Sequence, residues 1–248
     1  MVPVRPRPQA ETAAAAVANR NPMTSFEALM EQIDVARRGG GVQLDPPLTA
    51  DEITTLEEQL GMAVPADLRR LLSVTGGITK KSFRLSFRGD LPFVFEEVAP
   101  HGVAVAGDSS GNFWLLELHD ESAGPLFFIS SDPPVVVIQS PDLAGFIESV
   151  LAMADPPPRL DSEVLDIWKH NQYVMTRSAA LAGGDETMRR FAEGLTDRFV
   201  VVDLRARKEG TGFVWGAAGP RSELRRDGDR LLFATERKGG VLGRLFGR

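Results

Sequence analysis

The chain has 248 residues and a hydrophobic fraction of 43%, enough for one large domain or two small ones around an ordinary core. It has no cysteine, which excludes a disulfide framework, thiolate metal sites and a Cys nucleophile, and fits a reducing, cytoplasmic compartment. The net charge of −6 is uneven: residues 1–155 sum to −10, residues 156–248 to +4, and no Lys or Arg occurs from Gly89 to Pro158.

Residues 1–22, with early Pro and Arg and a later Ala run, are expected to be a disordered tail, because they lack the Leu-rich h-region of a signal peptide. Met23 is an alternative start. Thr24 with Glu27 has capping-box spacing, and Phe26, Leu29, Met30 and Ile33 follow at helical spacing until Gly39-Gly40-Gly41. Thr49 and Glu52 form a second capping box ahead of the stripe Ile53, Leu56 and Leu60, which Gly61 ends. Val64-Pro65 restarts the chain with Pro where a missing N–H costs nothing. Leu68, Leu71 and Leu72 are then expected in the core, before Thr75-Gly76-Gly77.

The middle of the chain reads as strands: 83–87, 92–98, 102–106, 113–118, 125–129 and 135–139. The turn-forming run 107–112 predicts an antiparallel hairpin between two of them. Pro141 and Asp142 then start a helix through about Ala154, and Asp155-Pro156-Pro157-Pro158 reads as a linker. Beyond it, Leu160, Val164, Leu165 and Trp168 predict one helix, and Met188, Phe191 and Leu195 another. Runs at 199–204, 212–216 and 231–235, with turns at Glu209-Gly210 and Asp227-Gly228, predict a closing meander. The last twelve residues carry four positive charges and no acid, which fits a frayed terminus, a short amphipathic docking segment or a membrane-touching peptide.

No stretch carries a recognisable catalytic motif. Gly107 to Gly111 lacks the lysine of a phosphate loop, and Asp108 would repel phosphate. Gly107-Asp108-Ser109-Ser110-Gly111 has G-x-S-x-G spacing, but it lies in the turn between two predicted strands and not at a strand-to-helix turn, so no nucleophile elbow is expected. His119-Asp120-Glu121 and Glu96-Glu97 are sequence neighbours, which point apart at a strand or its end, so shared acid–base chemistry is not expected. His101, His119 and His170 are far apart and outside any HExxH spacing, and Asp90, Glu96 and Asp108 are only a loose acidic set; neither a metal nor another cofactor is expected. A region without cations projects a negative field that repels nucleic acid and anionic membrane and attracts a basic partner. The residues assigned to partner binding are Asp90, Glu96, Glu97, Asp108, Glu117, Asp120 and Glu121. Trp114 joins them as an interface anchor if it, rather than Phe113, is the outward member of its alternating strand. No apolar run approaches the roughly 18 residues of a membrane span.

The order of pieces resembles the SUKH superfamily, and within it the Smi/Knr group of cell-wall assembly regulator-like domains. The likeness rests on Thr49-Ala50-Asp51-Glu52-Ile53 with Leu60-Gly61, and on Val64-Pro65-Ala66-Asp67-Leu68 with Leu71-Leu72. Thr75-Gly76-Gly77, the run from Val103 to Trp114, and Phe146-Ile147 complete it. It covers about residues 45–154; Val64 and Thr75 depart from the family's usual Leu and Asn, and the C-terminal part lies outside it. The resemblance implies an α+β domain with a twisted, mainly antiparallel sheet flanked by helices, here over residues 23–155. A smaller α+β extension would cover 159–236 and a basic tail 237–248. It also implies a non-enzymatic protein-binding role, because many bacterial members look like immunity proteins that neutralise a cognate toxin. Eukaryotic members resemble regulatory scaffolds, which is the alternative expectation.

Overall fold

The computed structural model describes residues 22–92, 95–154, 160–170, 173–216 and 222–237. The anticipated N-terminal tail up to residue 21, the prolines of the linker and the basic tail beyond Arg237 lie outside these residues, while Pro22, expected in that tail, opens the first helix.

The chain is α+β, with mainly antiparallel sheets flanked by helices. The first helix, α1 (Pro22–Arg38), begins ahead of Thr24, so Thr24 is a helical residue and not the cap. A two-residue strand β1 (Gln43–Leu44) leads to helices α2 (Ala50–Leu60) and α3 (Ala66–Leu72). Thr49 accepts from the Glu52 amide while the Glu52 carboxylate accepts from the Thr49 amide, so the predicted capping box is formed. Gly61 closes α2 in the left-handed region at φ 68°, a conformation that costs a β-carbon-bearing residue. Glu57 then accepts from the Val64 amide at 2.8 Å and pairs with Arg69, tying the two helices together. Thr49→Ala removes one arm of the box and is expected to cost about 1 kcal/mol, readable as a lower denaturation midpoint with unchanged m-value.

Strands β2 (Gly77–Lys80) and β3 (Phe83–Ser86) complete a three-stranded sheet in the order β1-β2-β3. The central sheet contains β4 (Gly102–Gly107), β5 (Phe113–Leu118), β6 (Ala123–Ser131) and β7 (Pro134–Ser140). The predicted hairpin pairs Phe113 with Gly107 across residues 108–112. Helix α4 (Leu143–Ala152) follows, capped by Asp142. The strand expected at 92–98 is not formed over its described residues: 96–98 make a turn, with the Val98 and Ala99 amides both donating to the Phe95 carbonyl.

Helix α5 (Asp161–His170), strand β8 (Val174–Thr176) and helices α6 (Arg177–Ala182) and α7 (Glu186–Glu193) come next. Strands β9 (Phe199–Asp203), β10 (Gly212–Val214), β11 (Leu224–Arg226) and β12 (Leu232–Glu236) close the described chain. They do not form a meander. β10 leaves its neighbours and pairs antiparallel with β7, giving a five-stranded sheet β10-β7-β6-β5-β4. The remaining C-terminal strands form a separate sheet, β11-β12-β9-β8. Gly212 makes the crossing possible: a β-carbon there would stand 2.0 Å from the Val136 carbonyl oxygen.

Side-chain alternation divides the interior into layers. Val103, Trp114, Leu116, Phe128, Val135 and Val137 face α1–α4 and the small sheet. Ala104, Leu115, Phe127, Ile129, Val136 and Ile138 face the other way and join Val202, Leu204, Phe213, Leu224 and Phe233 in a second cluster. A third lies between β9, β12 and helices α6 and α7. The C-terminal strands therefore cover the second face of the central sheet and share its core. On α5, Val164 and Ile167 are buried, whereas Leu165 and Trp168, expected in the same stripe, are 49% and 38% exposed. Among the described residues no helix is long and apolar enough to cross a membrane.

Candidate functional site

The sheet topology sorts the predicted acids into two ends. The β4–β5 turn carries Asp108 and the β6–β7 turn carries Asp132, while the β5–β6 turn, 119–122, lies at the opposite end of β5. Six residues of extended chain separate them, about 17 Å. Asp108 is occupied by its own loop, accepting from the Ser110 and Asn112 amides and the Asn112 side chain. Asp90 accepts from the Ser86 hydroxyl at 2.6 Å and lies in the field of Arg84. The set Asp90, Glu96 and Asp108 is not brought together by any described contact, and among the described residues no group of His, Asp and Glu is gathered as a metal site.

Asp120 and Glu121 are exposed on the β5–β6 hairpin. Glu96 and Glu97 are exposed on the turn that packs, through Ala99, against Gly102 at the start of β4. Gly102 is the register partner of Glu117, so these four carboxylates ring the same end of the sheet.

Two assignments need correction. Trp114 is fully buried: it faces the helical layer, with Phe83 and Phe128 ring centroids 5.2 and 4.9 Å away. It is a core residue and no surface anchor. Glu117 is 1% exposed and is no part of the acidic surface, because its alternation points it at the C-terminal sheet. There it meets Arg226 of β11, Nη1 lying 2.6 Å from Oε1, with the two side chains 3% and 2% exposed. Arg226 also donates to the carbonyls of Val98, Asp229 and Arg230, and its guanidinium lies 5.3 Å from the Phe233 ring centroid. One side chain thereby joins β5, the 95–99 turn and the β11–β12 hairpin.

The second Glu117 oxygen, Oε2, accepts no hydrogen bond among the described residues; the His119 Nε2 stands 3.7 Å from it. Burial pushes the Glu117 carboxyl up to about 7; Arg226 pulls it back and Asp229 adds to the rise. Burial holds the His119 imidazole below its ordinary value, helped by Arg226 and His101 and opposed by Asp229 and Asp120. The sequence does contain a signal for this pair: Glu117 and His119 are two apart, and period-two alternation puts them on one face, unlike the adjacent His119 and Asp120. Arg226 carried no comparable signal.

A concavity of about 660 Å³ lies between α1, β1 and the Asp45-Pro46-Pro47 connector, with Met30, Ile33, Leu44 and Val74 in its lining. None of the predicted acids lines it. The sequence matches no family model, and no curated protein matches it.

Proposed function

We propose that this chain is a non-enzymatic protein-binding module of the SUKH, Smi/Knr type, and that it acts as an immunity protein against a basic bacterial toxin. The observation that carries this is the acidic sheet end. Glu96, Glu97, Asp120 and Glu121 are exposed on two adjoining turns, while Arg226, which reaches both of their supports, is spent on buried Glu117. Arg230 of the neighbouring hairpin is held by Asp227 at 3.1 Å. Clustered carboxylates of this kind speed the approach of a basic surface and reject an acidic one. The capped α2–α3 pair with Gly61 and Pro65, followed by the β4–β5 hairpin, supports the likeness on which the family assignment rests.

The test is a search of the neighbouring reading frames for a basic toxin domain, followed by binding to that domain, measured by stopped flow and by protection of cells. Reversing Glu96, Glu97, Asp120 and Glu121 to Lys together is expected to slow association by about 10- to 100-fold at low salt, with the difference shrinking at high salt. Unchanged association and unchanged protection would remove the acidic end from the interface. A second reading, a regulatory adaptor, is favoured by Leu165 and Trp168, which give the C-terminal part an exposed apolar strip on α5. Replacing both with Ser would abolish an adaptor's output and leave toxin neutralisation intact.

A further inference from the structure

Strand β1 ends the small sheet, in the order β1-β2-β3, and its outer edge is open. The concavity beside α1 lies on that edge. Val42, Gln43, Leu44 and Asp45 all line it, although successive strand side chains point to opposite faces, so what they share is a backbone rim. The register fixes what the rim offers. The Asp45 amide donates to the Gly77 carbonyl at 2.9 Å, which makes 45 and 77 a hydrogen-bonded pair and Leu44 and Ile78 the non-hydrogen-bonded pair beside it. The Leu44 amide and carbonyl therefore point away from β2 and into the groove. Met30 and Ile33 of α1 form the opposite wall, and Val74, 44% exposed, also lines it. A helix packed beside an open strand edge has the form of a βαβ unit that lacks its first strand.

We propose that residues 12–18 of this same chain, which lie outside the described residues, fill the groove as a strand parallel to β1, with α1 as the crossover. The chain ahead of α1 starts in the right place. α1 begins at Pro22, and the residue before a proline is biased to extended backbone. From Pro22 to Met30 and Arg37 the helix rises about 12 and 22 Å, which an extended chain running back along it covers in about four and seven residues. That places residues 15–18 over the groove. They belong to Thr12-Ala13-Ala14-Ala15-Ala16-Val17-Ala18, within the uncharged stretch between Glu11 and Arg20. No proline occurs from Gln9 to Asn21, so every residue there keeps the amide that a ladder needs. The groove asks for no charge, because Asp34 is tied to Arg37 and Arg38, and Asp45 to Arg84. Small side chains suit a cleft with a helix on one side and a backbone edge on the other. Seven residues are too few to hold the free helix that alanine otherwise favours. Docked there, the segment covers an edge that is otherwise open to pairing with another chain. A chain begun at Met23 lacks the segment and leaves that edge free.

Amide hydrogen exchange of the full chain, followed by NMR, reads the Leu44 amide on the outer edge of the small sheet. In the native chain this amide is protected, and nuclear Overhauser contacts join the Val17 methyls to Met30 and Leu44. Ala15→Pro with Ala16→Pro removes two successive amides, one of which faces β1 whichever way the strand is turned. The double variant exchanges Leu44 faster by about tenfold or more. The Asp45 amide, held by Gly77, keeps its protection in the same sample, which separates undocking of the segment from loss of the fold. A Leu44 amide that exchanges freely in the native chain, or equally slowly in the proline variant, would overturn the proposal. So would protection that falls on dilution, because the added strand would then come from a second copy.

Discussion

Truncation after Ala154 is expected to give no folded protein. That cut separates the region expected from the sequence to be a domain of its own from the rest, and on the sequence it looks harmless because the prolines at 156–158 read as a linker. In the structure it strips Val202, Leu204, Phe213, Leu224 and Phe233 from the outer face of the central sheet and leaves Leu115, Phe127, Ile129, Val136 and Ile138 in water. Five buried side chains at about 1.5–3 kcal/mol each amount to the whole stability of an ordinary domain. The truncation also removes β10, turning β7 into an unpaired edge, and takes Arg226 away from Glu117. Far-UV circular dichroism and the soluble fraction after expression check this. A truncated chain with a cooperative melt near that of the full protein would show the two parts to be independent.

The second large effect is at Arg226. Replacing it with Met leaves a carboxylate buried without a partner, a loss of about 3–5 kcal/mol at pH 8. Three carbonyls lose their donor at the same time. The pH dependence has a definite sign. The folded-state value of Glu117, about 7, lies above its ordinary 4.5, so its contribution to stability is fully present below about 4.5 and is lost as pH rises through about 7. Arg226 is the group that pulls this value down, so Arg226→Met raises it further. The variant is therefore weakest in alkali and regains stability on acidification, as Glu117 becomes neutral. Adding Glu117→Leu to Arg226→Met recovers part of the loss and flattens its pH dependence, because no uncompensated charge remains. Urea unfolding of the native chain and the two variants at pH 5.5 and pH 8 separates these outcomes. Equal stability losses for Arg226→Met at both pH values would show that the carbonyl contacts, and not the charge, set the cost.

The parts of the fold that were legible in the sequence are those whose causes are local. Thr49 with Glu52, Gly61 and Pro65 fix the ends of α2 and α3 through hydrogen bonds and φ preferences that involve only nearby residues. Period-two alternation and the run 107–112 identify β4, β5 and their hairpin for the same reason. Strands β1, β8 and β11, of two or three residues, offered too few positions for a period to show. The stripe misjudged on α5 has a tertiary cause: the strip bearing Val164 and Ile167 packs into the core, and Leu165 and Trp168 are left largely exposed.

The site was legible to a smaller degree. Its composition, a long segment with carboxylates and no cation, is a property of the sequence alone. Which acids face water was not. The turn bearing Glu96 and Glu97 and the turn bearing Asp120 and Glu121 lie at one sheet end because β4 and β5 run antiparallel, and Asp108 is carried to the other end by the same pairing. Glu117 changed from surface acid to buried ion-pair partner because the C-terminal sheet covers its face of β5. By itself the sequence determined the capping box at Thr49, the stop at Gly61, the β4–β5 hairpin and the sign of the central charge, since each depends on residues within a few positions of one another. Only the tertiary structure decided that β10 joins the central sheet, that Trp114 is core, and that Arg226 neutralises Glu117. Those outcomes depend on which distant apolar faces exclude water together, and no local pattern encodes that.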